Sequence, residues 1–343
     1  MGHQCLIIAP DTFPRRDFDG ILVHRVRSVK IPGVHDVDVA VTSTARLCAE
    51  LEAFAPDVVH LASPFVLGRQ VLAASRACGI PSVAVYQTHV AGFAQHYGLS
   101  GVSFLADSIV RGVHRAADLT LAPSRQCVDY LAGLGVQRIR LWGRGVDLGR
   151  FTPMRRSRAL RERWSPDGRP VVGYVGRLAP EKSVNMLAGL AASGDVRVVI
   201  VGDGPMRGEL SRLMPHARFT DRLLGDDLVT AVASMDVLVA PGELETFCQV
   251  VQEAMASGVP VVAPAVGGPL DLVTPNETGL LYAPGDRRGM EALVRRVAFD
   301  EVLAARLRRG GREQVASRSW LAVTHELMGH YSEVTGRVLT PAA

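Results

Sequence analysis

Long hydrophobic runs are missing from this chain. No apolar stretch approaches the ~18–20 residues that span a bilayer, and the longest candidate, Gly258 to Leu270, is broken by three prolines and two adjacent glycines. Cysteine is scarce too. Cys5, Cys48, Cys78, Cys127 and Cys248 are odd in number, widely scattered and form no C-x-x-C pair. Neither a disulfide framework nor a zinc knuckle is expected, and a reducing cytosol fits best. The start Met1-Gly2-His3-Gln4-Cys5 lacks a basic region ahead of an apolar stretch, so it does not read as a secretory signal. Leu6 stands where a myristoylation motif wants Ser or Thr. Charge of one sign is also lacking: 38 Lys and Arg against 34 Asp and Glu leave a net +4, too little to argue for a nucleic-acid partner. No histidine spacing, including that of His89, His96 and His114, matches a metal-ligand motif.

What is present is a globular composition, 48% hydrophobic with 34 Gly and only 6% aromatic, in a chain of 343 residues that suggests two cores. Short Val/Ile/Leu runs alternate with helical stretches. Leu6–Ala9, Val58–Leu61, Ser82–Val85 and Leu119–Ala122 come first; after Pro170 the pattern restarts with Val171–Val175, Val196–Val201, Val237–Ala240 and Val259–Ala263. Continuous apolar strands separated by helices predict parallel sheet covered on both faces, hence an α/β protein of two Rossmann-like, doubly wound domains. We place them at residues 1–150 and 151–318, with a C-terminal helix and tail at 319–343. In that helix Leu321, Val323, Leu327, Met328 and Tyr331 follow a helical period from Trp320 to Val334. The opening strand begins almost at residue 4 and is expected mid-sheet, without the strand, glycine loop and helix that usually open such a domain. Between the domains, Arg138, Arg140, Arg144, Arg150, Arg155, Arg156, Arg158, Arg161, Arg163 and Arg169 face only Asp147, Glu162 and Asp167. This segment reads either as a solvated linker or as a contact for anionic lipid or substrate phosphate.

The chemistry concentrates in the second half. Thr246 and Gln249 have capping-box spacing, Gly258 suits the position after a helix end, and Pro260 cannot prolong it, which predicts a helix over Phe247–Ser257. Its free N–H groups near Phe247, Cys248 and Gln249 would attract an anion at the strands' carboxyl edge. Glu245 precedes that tip and Glu253 lies about two turns in, ~9–11 Å along the axis, so two carboxylates can hold two separated polyols. A glycosidase pair would flank one sugar bond ~5–9.5 Å apart, a poorer match. Arg177 and Lys182, five apart in Gly176-Arg177-Leu178-Ala179-Pro180-Glu181-Lys182, put a planar fork and a point charge on a strand-to-helix turn, which with the helix tip makes a diphosphate clamp. Two unrelated surface cations are the bland alternative. Gly202-Asp203-Gly204-Pro205-Met206-Arg207-Gly208, with Asp221 downstream, competes as a dinucleotide fingerprint. Its glycine spacing is one residue too long and Pro205 removes an N–H that pyrophosphate would need. In the first domain His89, just past Ser82–Val85, could bond a sugar hydroxyl or move a proton, or be structural.

Gly176-Arg177 with Glu181-Lys182, Val199–Gly204, the E-x7-E pair Glu245 and Glu253, Glu253–Gly258 and Gly267-Gly268-Pro269 resemble the motifs of family 4 glycosyltransferases of the GT-B fold, over about Gly2 to Tyr331. Val58–Pro64, Trp142–Asp147, Arg163–Gly168 and Glu245–Gln249 are similar to the actinobacterial GDP-mannose-dependent α-mannosyltransferases that build membrane glycolipids. The resemblance implies that Arg177 and Lys182 hold the donor diphosphate and that Glu245, with the amides of Phe247 and Cys248, holds the donor sugar. It gives the ribose to Glu253, the base to backbone near Leu223, and a place near the acceptor to His89, where relatives often have Asp. It further implies a retaining, metal-independent transfer of mannose from GDP-mannose to a lipid-linked or glycan acceptor at the cytoplasmic membrane face, with peripheral contact to anionic lipid and no cofactor. A crossover of the C-terminal helix back to the first domain is expected as well. Two departures stand out. Only Gly2-His3 remains of the family's opening unit, which implies an incomplete first domain and leaves a nucleotide-binding, non-catalytic chain as the competing reading, with an NAD oxidoreductase further off. Asp221 replaces the usual Gly of a Phe-Thr-Gly turn.

Overall fold

The computed structural model of the chain describes residues 2–12, 20–30, 38–63, 66–87 and 103–339. Four short strands come first. β1 (Leu6–Pro10) pairs in parallel with β2 (Leu22–Val26), and β3 (Ser28–Lys30) pairs antiparallel with β4 (Asp38–Ala40). A four-stranded parallel sheet follows, β5 (Val59–Leu61), β6 (Ser82–Val85), β7 (Leu119–Ala122) and β8 (Ile139–Leu141), in that spatial order. The β6 and β7 residues are buried throughout, as expected of parallel strands covered on both faces. The opening strand is not mid-sheet: among the described residues β1 forms a ladder with β2 alone, along one of its two edges, and its half-buried Ile8 reaches the core around Leu47 and Leu51.

The second half holds a six-stranded, all-parallel sheet of β9 (Val171–Val175), β10 (Arg197–Val201), β11 (Arg218–Phe219), β12 (Val237–Val239), β13 (Val261–Pro264) and β14 (Leu280–Tyr282). The spatial order β11-β10-β9-β12-β13-β14 is the doubly wound 3-2-1-4-5-6 pattern, which reverses direction between β9 and β12. Large cores lie on both of its faces, one around Val199, Leu238, Val251 and Val261, the other around Ile200, Leu187, Val262 and Leu307. Because the strands are parallel, the loops after β9 to β13 emerge at one edge.

The helix Trp320–Thr335, capped by Ser319 accepting from Ala322 N–H at 3.2 Å, crosses back to the first domain. Leu327, Tyr331 and Val334 pack on Val83, Val85, Leu119 and Leu121. Trp142 Nε1–H donates to Val323 O at 3.0 Å, and the Tyr331 hydroxyl lies 2.7 Å from His60 Nδ1. Leu321 departs from the predicted stripe and is exposed, because the docked face runs through Val323, Leu327 and Tyr331.

The arginine-rich segment is largely fastened to the protein itself. Arg156 and Arg161 both reach Asp236, at 2.6 and 2.9 Å, and Asp236 also accepts from Val171 N–H. Arg140 pairs with Glu333, Arg155 with Asp226 and Arg158 with Glu162. Apart from Glu162, these counterions come from distant sequence, so the segment is neither a free linker nor a free anion surface.

Candidate active site

The switch point between β9 and β12 is where an open α/β sheet forms its crevice. The loop after β9 leaves Val175, is held by Tyr174 O–H donating to Arg177 O at 2.8 Å, and makes a 3-10 turn at Pro180–Lys182. The loop after β12 carries Glu243 to Cys248. The two loops meet: Lys182 Nζ lies 2.6 Å from Glu245 Oε1, both side chains about one-quarter to one-fifth exposed. Arg177 is exposed beside them, and its guanidinium has no hydrogen-bond or ion-pair partner among the described residues. Glu245 also pushes up the hydroxyl pKa of buried Tyr174, after burial itself.

Glycines set the spacing of these loops. Gly267 has φ +70° and its N-terminal neighbour strand is β13; a Cβ on Gly268 would stand 2.2 Å from Phe247 O. Gly268 N–H donates to Glu245 O at 2.7 Å, so the Glu245–Phe247 segment rests directly on this pair. Gly202 and Gly204 are used in the same way. A Cβ at Gly202 would stand 1.9 Å from Gly176 O and one at Gly204 2.4 Å from Leu178 O. These two glycines are thus accounted for by packing on the Arg177 loop, which removes the need for a dinucleotide fingerprint. Asp221 keeps a left-handed φ of +58° where a glycine was expected, and pairs with Arg207 at 3.1 Å. Asp is one of the few side chains that tolerates that conformation.

The helix after the β12 loop spans Gln249–Ala256, shorter than predicted at both ends, with Cys248 as its N-terminal flank at φ +71° and no side-chain cap. The capping box does not form. Thr246 Oγ1 instead donates to Gln87 O at 2.9 Å and Gln249 Nε2 to Gly145 O at 3.0 Å, both in the first half of the chain, so longer-range partners have taken the capping side chains. The predicted anion-binding amides remain: Phe247, Cys248 and Gln249 N–H have no acceptor among the described residues. Phe247 and Cys248 bury their side chains, and burial raises the Cys248 thiol pKa well above its usual range, so only their backbone can serve a ligand. Glu253 sits on the first turns of this helix, and burial raises its pKa to about 7 against the opposing pull of Gln249 and Arg150. Leu223, half-buried, follows β11 at the same sheet edge. His89 lies outside the described residues.

The first domain closes on this edge. Arg125 N–H donates to Asp271 at 2.6 Å and Gly267 N–H to the Gln126 side chain, while within the first domain Arg144 Nη2 donates to Gln87 Oε1 at 2.8 Å. The sequence does not mark Gln87 or Gln252, whose amide donates to Arg144 O at 3.1 Å, and it marks Arg144 only as one of the arginine-rich segment. Their one available signal is position, Gln87 just past a strand end and Arg144 in the stretch after β8, and polarity alone does not mark it.

Two Rossmann-like domains joined across such a crevice define a glycosyltransferase of the GT-B class. The sequence comparisons agree. Residues 1–150 match the model "Glycosyltransferase Family 4" and residues 157–314 the model "Glycosyl transferases group 1". The chain is 51% identical, over 100% of its length and 91% of the relative, to a GDP-mannose-dependent alpha-mannosyltransferase of Mycobacterium tuberculosis. It is 41% identical, over 97% of its length and 82% of the relative, to the protein of that name from Corynebacterium glutamicum. Among solved structures, sucrose-phosphate synthase from Thermosynechococcus elongatus superposes with a TM-score of 0.74 at 24% identity, covering 85% of this chain and 77% of that one, a likeness of fold. The chain belongs to the family 4 glycosyltransferases.

Proposed function

We propose that this protein transfers mannose from GDP-mannose to a lipid-linked or glycan acceptor, with retention of anomeric configuration and without a metal ion. The observation that carries the reading is the meeting of Lys182 and Glu245 at the switch point, together with Arg177 and the amides of Phe247, Cys248 and Gln249, which have no partner among the described residues. Arg177, Lys182 and those amides then hold the donor diphosphate and stabilise the charge that grows on it as the glycosidic bond breaks. Glu245, released in part from Lys182 as the diphosphate takes its place, accepts hydrogen bonds from sugar hydroxyls. Glu253 accepts from the ribose and backbone near Leu223 from the base. His89 serves the acceptor side, where the leaving phosphate assists deprotonation of the attacking hydroxyl. The guanine and mannose assignments rest on the relatives named for GDP-mannose.

A location at the inner membrane face goes with a lipid acceptor. Its support is a cavity of about 310 Å³ between the helices Val66–Ala77 and Ser103–Ala116, lined by Arg69 and Arg76 together with Leu72, Ala73, Ile109 and Val113. No helix among the described residues is long and apolar enough to cross a membrane. The test is transfer of labelled mannose from GDP-mannose into a membrane lipid fraction by the purified chain, with chelator present. Incorporation is expected; transfer from a UDP-sugar alone, or dependence on a divalent ion, would overturn the assignment.

A further inference from the structure

Gln87 ties together three parts of the molecule that the reaction must hold in register. It lies two residues beyond the end of β6 and immediately before the segment that leads to His89. Its Nε2 donates to Ala62 O at 3.1 Å, beyond β5; its Oε1 accepts from Arg144 at 2.8 Å; and its main-chain O accepts from Thr246 Oγ1 at 2.9 Å. Thr246 is the residue after Glu245. Arg144, in turn, is gripped through its carbonyl by Gln252 at 3.1 Å, and its neighbour Gly145 by Gln249 at 3.0 Å. Thus Thr246, Gln249 and Gln252, on the loop and helix that bear Glu245 and Glu253, all end on the first domain.

Among the described residues, the charge in this network has little compensation. Burial lowers the pKa of Arg144, and among the described residues the neutral amide oxygen of Gln87 is the sole acceptor for its five N–H donors. A partly buried guanidinium held by one neutral bond is oriented only while that bond persists. Thr246 has similarly given up capping its own helix in order to reach Gln87. Local chemistry has been forfeited twice at one interdomain contact.

We propose that Gln87 is a positioning residue for glycosyl transfer: through Thr246 and Arg144 it holds the donor loop in register with the acceptor side, so that the bound sugar passes to the acceptor hydroxyl rather than to water. The inference rests on the donor site proposed above. Removing the latch leaves the donor diphosphate site in the second domain intact and loosens only its alignment with the first, and misplacement of about 1 Å is enough to cost on the order of 10²-fold in rate.

The experiment compares full-length wild type with Gln87→Ala, Thr246→Val and Thr246→Ser. Transfer to the lipid acceptor and hydrolysis of GDP-mannose are measured together, alongside GDP affinity. Gln87→Ala and Thr246→Val are expected to lower kcat for transfer roughly tenfold or more, to raise the ratio of hydrolysis to transfer, and to leave GDP affinity within about twofold. Thr246→Ser, which keeps the hydroxyl, is expected to restore the wild-type ratio. A purely structural role would reduce both reactions in proportion and leave the ratio unchanged, and that result overturns the proposal. Hydrogen exchange with GDP as the probe reads the latch without turnover. GDP is expected to slow exchange at the Tyr86 and Val146 amides in wild type and to do so far less in Gln87→Ala and Thr246→Val. Equal slowing in all variants, or none in wild type, rejects the latch. Absence of mannose transfer by wild type with the GDP-dependent slowing intact would reject the donor reading and leave the latch standing.

Discussion

Glu245 and Glu253 occupy different electrostatic situations, the first on the loop ahead of the Gln249–Ala256 helix and the second within that helix. Glu245 faces Lys182 across 2.6 Å, whereas Glu253 is held in burial with its pKa near 7. Because the sugar contact of Glu245 matters most as the glycosidic bond breaks, Glu245→Gln is expected to lower kcat on the order of 10²-fold with little change in GDP affinity, checked by steady-state kinetics and calorimetry. Glu253 predicts a pH dependence. Its ordinary pKa is 4.5 and its folded value is about 7, so between those values the folded state binds more protons than the unfolded one and stability falls as pH rises through the window. Ribose hydroxyls are better accepted by the ionised form, so GDP affinity should rise from pH 6 to pH 8. Glu253→Gln is expected to flatten both profiles in thermal unfolding and titration, and unchanged profiles would contradict the assignment.

At the scale of elements, strand positions were legible because buried parallel strands are continuous apolar runs: Val171–Val175 was read with the bounds observed, and Val196–Val201 was one residue too long. The Gln249–Ala256 helix starts two residues later than its capping-box spacing predicts, for a physical reason. Thr246 and Gln249 have the spacing of a local cap, but spacing cannot reveal that a carbonyl of Gln87 or Gly145 competes for the same side chains. The arginine segment was ambiguous for the same cause, since Asp236 and Glu333 lie far away in sequence. What remains readable is glycine where two loops touch. Gly268→Ala would drive a Cβ into Phe247 O, which cannot yield without moving Glu245, and GDP-mannose affinity should drop tenfold or more by titration, at ~1.4 kcal/mol per decade. The docked C-terminal helix carries a further expectation. Burial holds the His60 pKa at about 4, so the unfolded state binds the extra proton between 6.5 and 4 and stability falls as pH drops through that range. At 1.36 kcal/mol per unit the loss is on the order of 3 kcal/mol. Trp142 fluorescence and hydrogen exchange along Trp320–Thr335 should report loosening near pH 5, and a helix equally protected at pH 5 and pH 8 would contradict this account.

For the molecule as a whole, each domain can be argued from its own sequence pattern, and their relation cannot. The switch point follows from strand order, and the second sheet has its crevice where the motif residues suggest. The contacts that bring the first domain onto it, Arg125 with Asp271, Gln126 with Gly267, and Gln87 with Thr246, are polar contacts between distant residues and follow no period. They nonetheless decide whether a bound donor meets its acceptor.

The most direct measurement compares the binding of GDP and of guanosine to wild type, Arg177→Ala and Lys182→Ala by titration calorimetry. Convergence of Arg177, Lys182 and the helix-tip amides on one pyrophosphate predicts that GDP binds wild type at least about 10²-fold more tightly than guanosine, and that each substitution removes a tenfold or larger part of that advantage, at roughly 1.5–3 kcal/mol per charged hydrogen bond. Equal affinity for the two ligands, or an advantage that survives both substitutions, would contradict it.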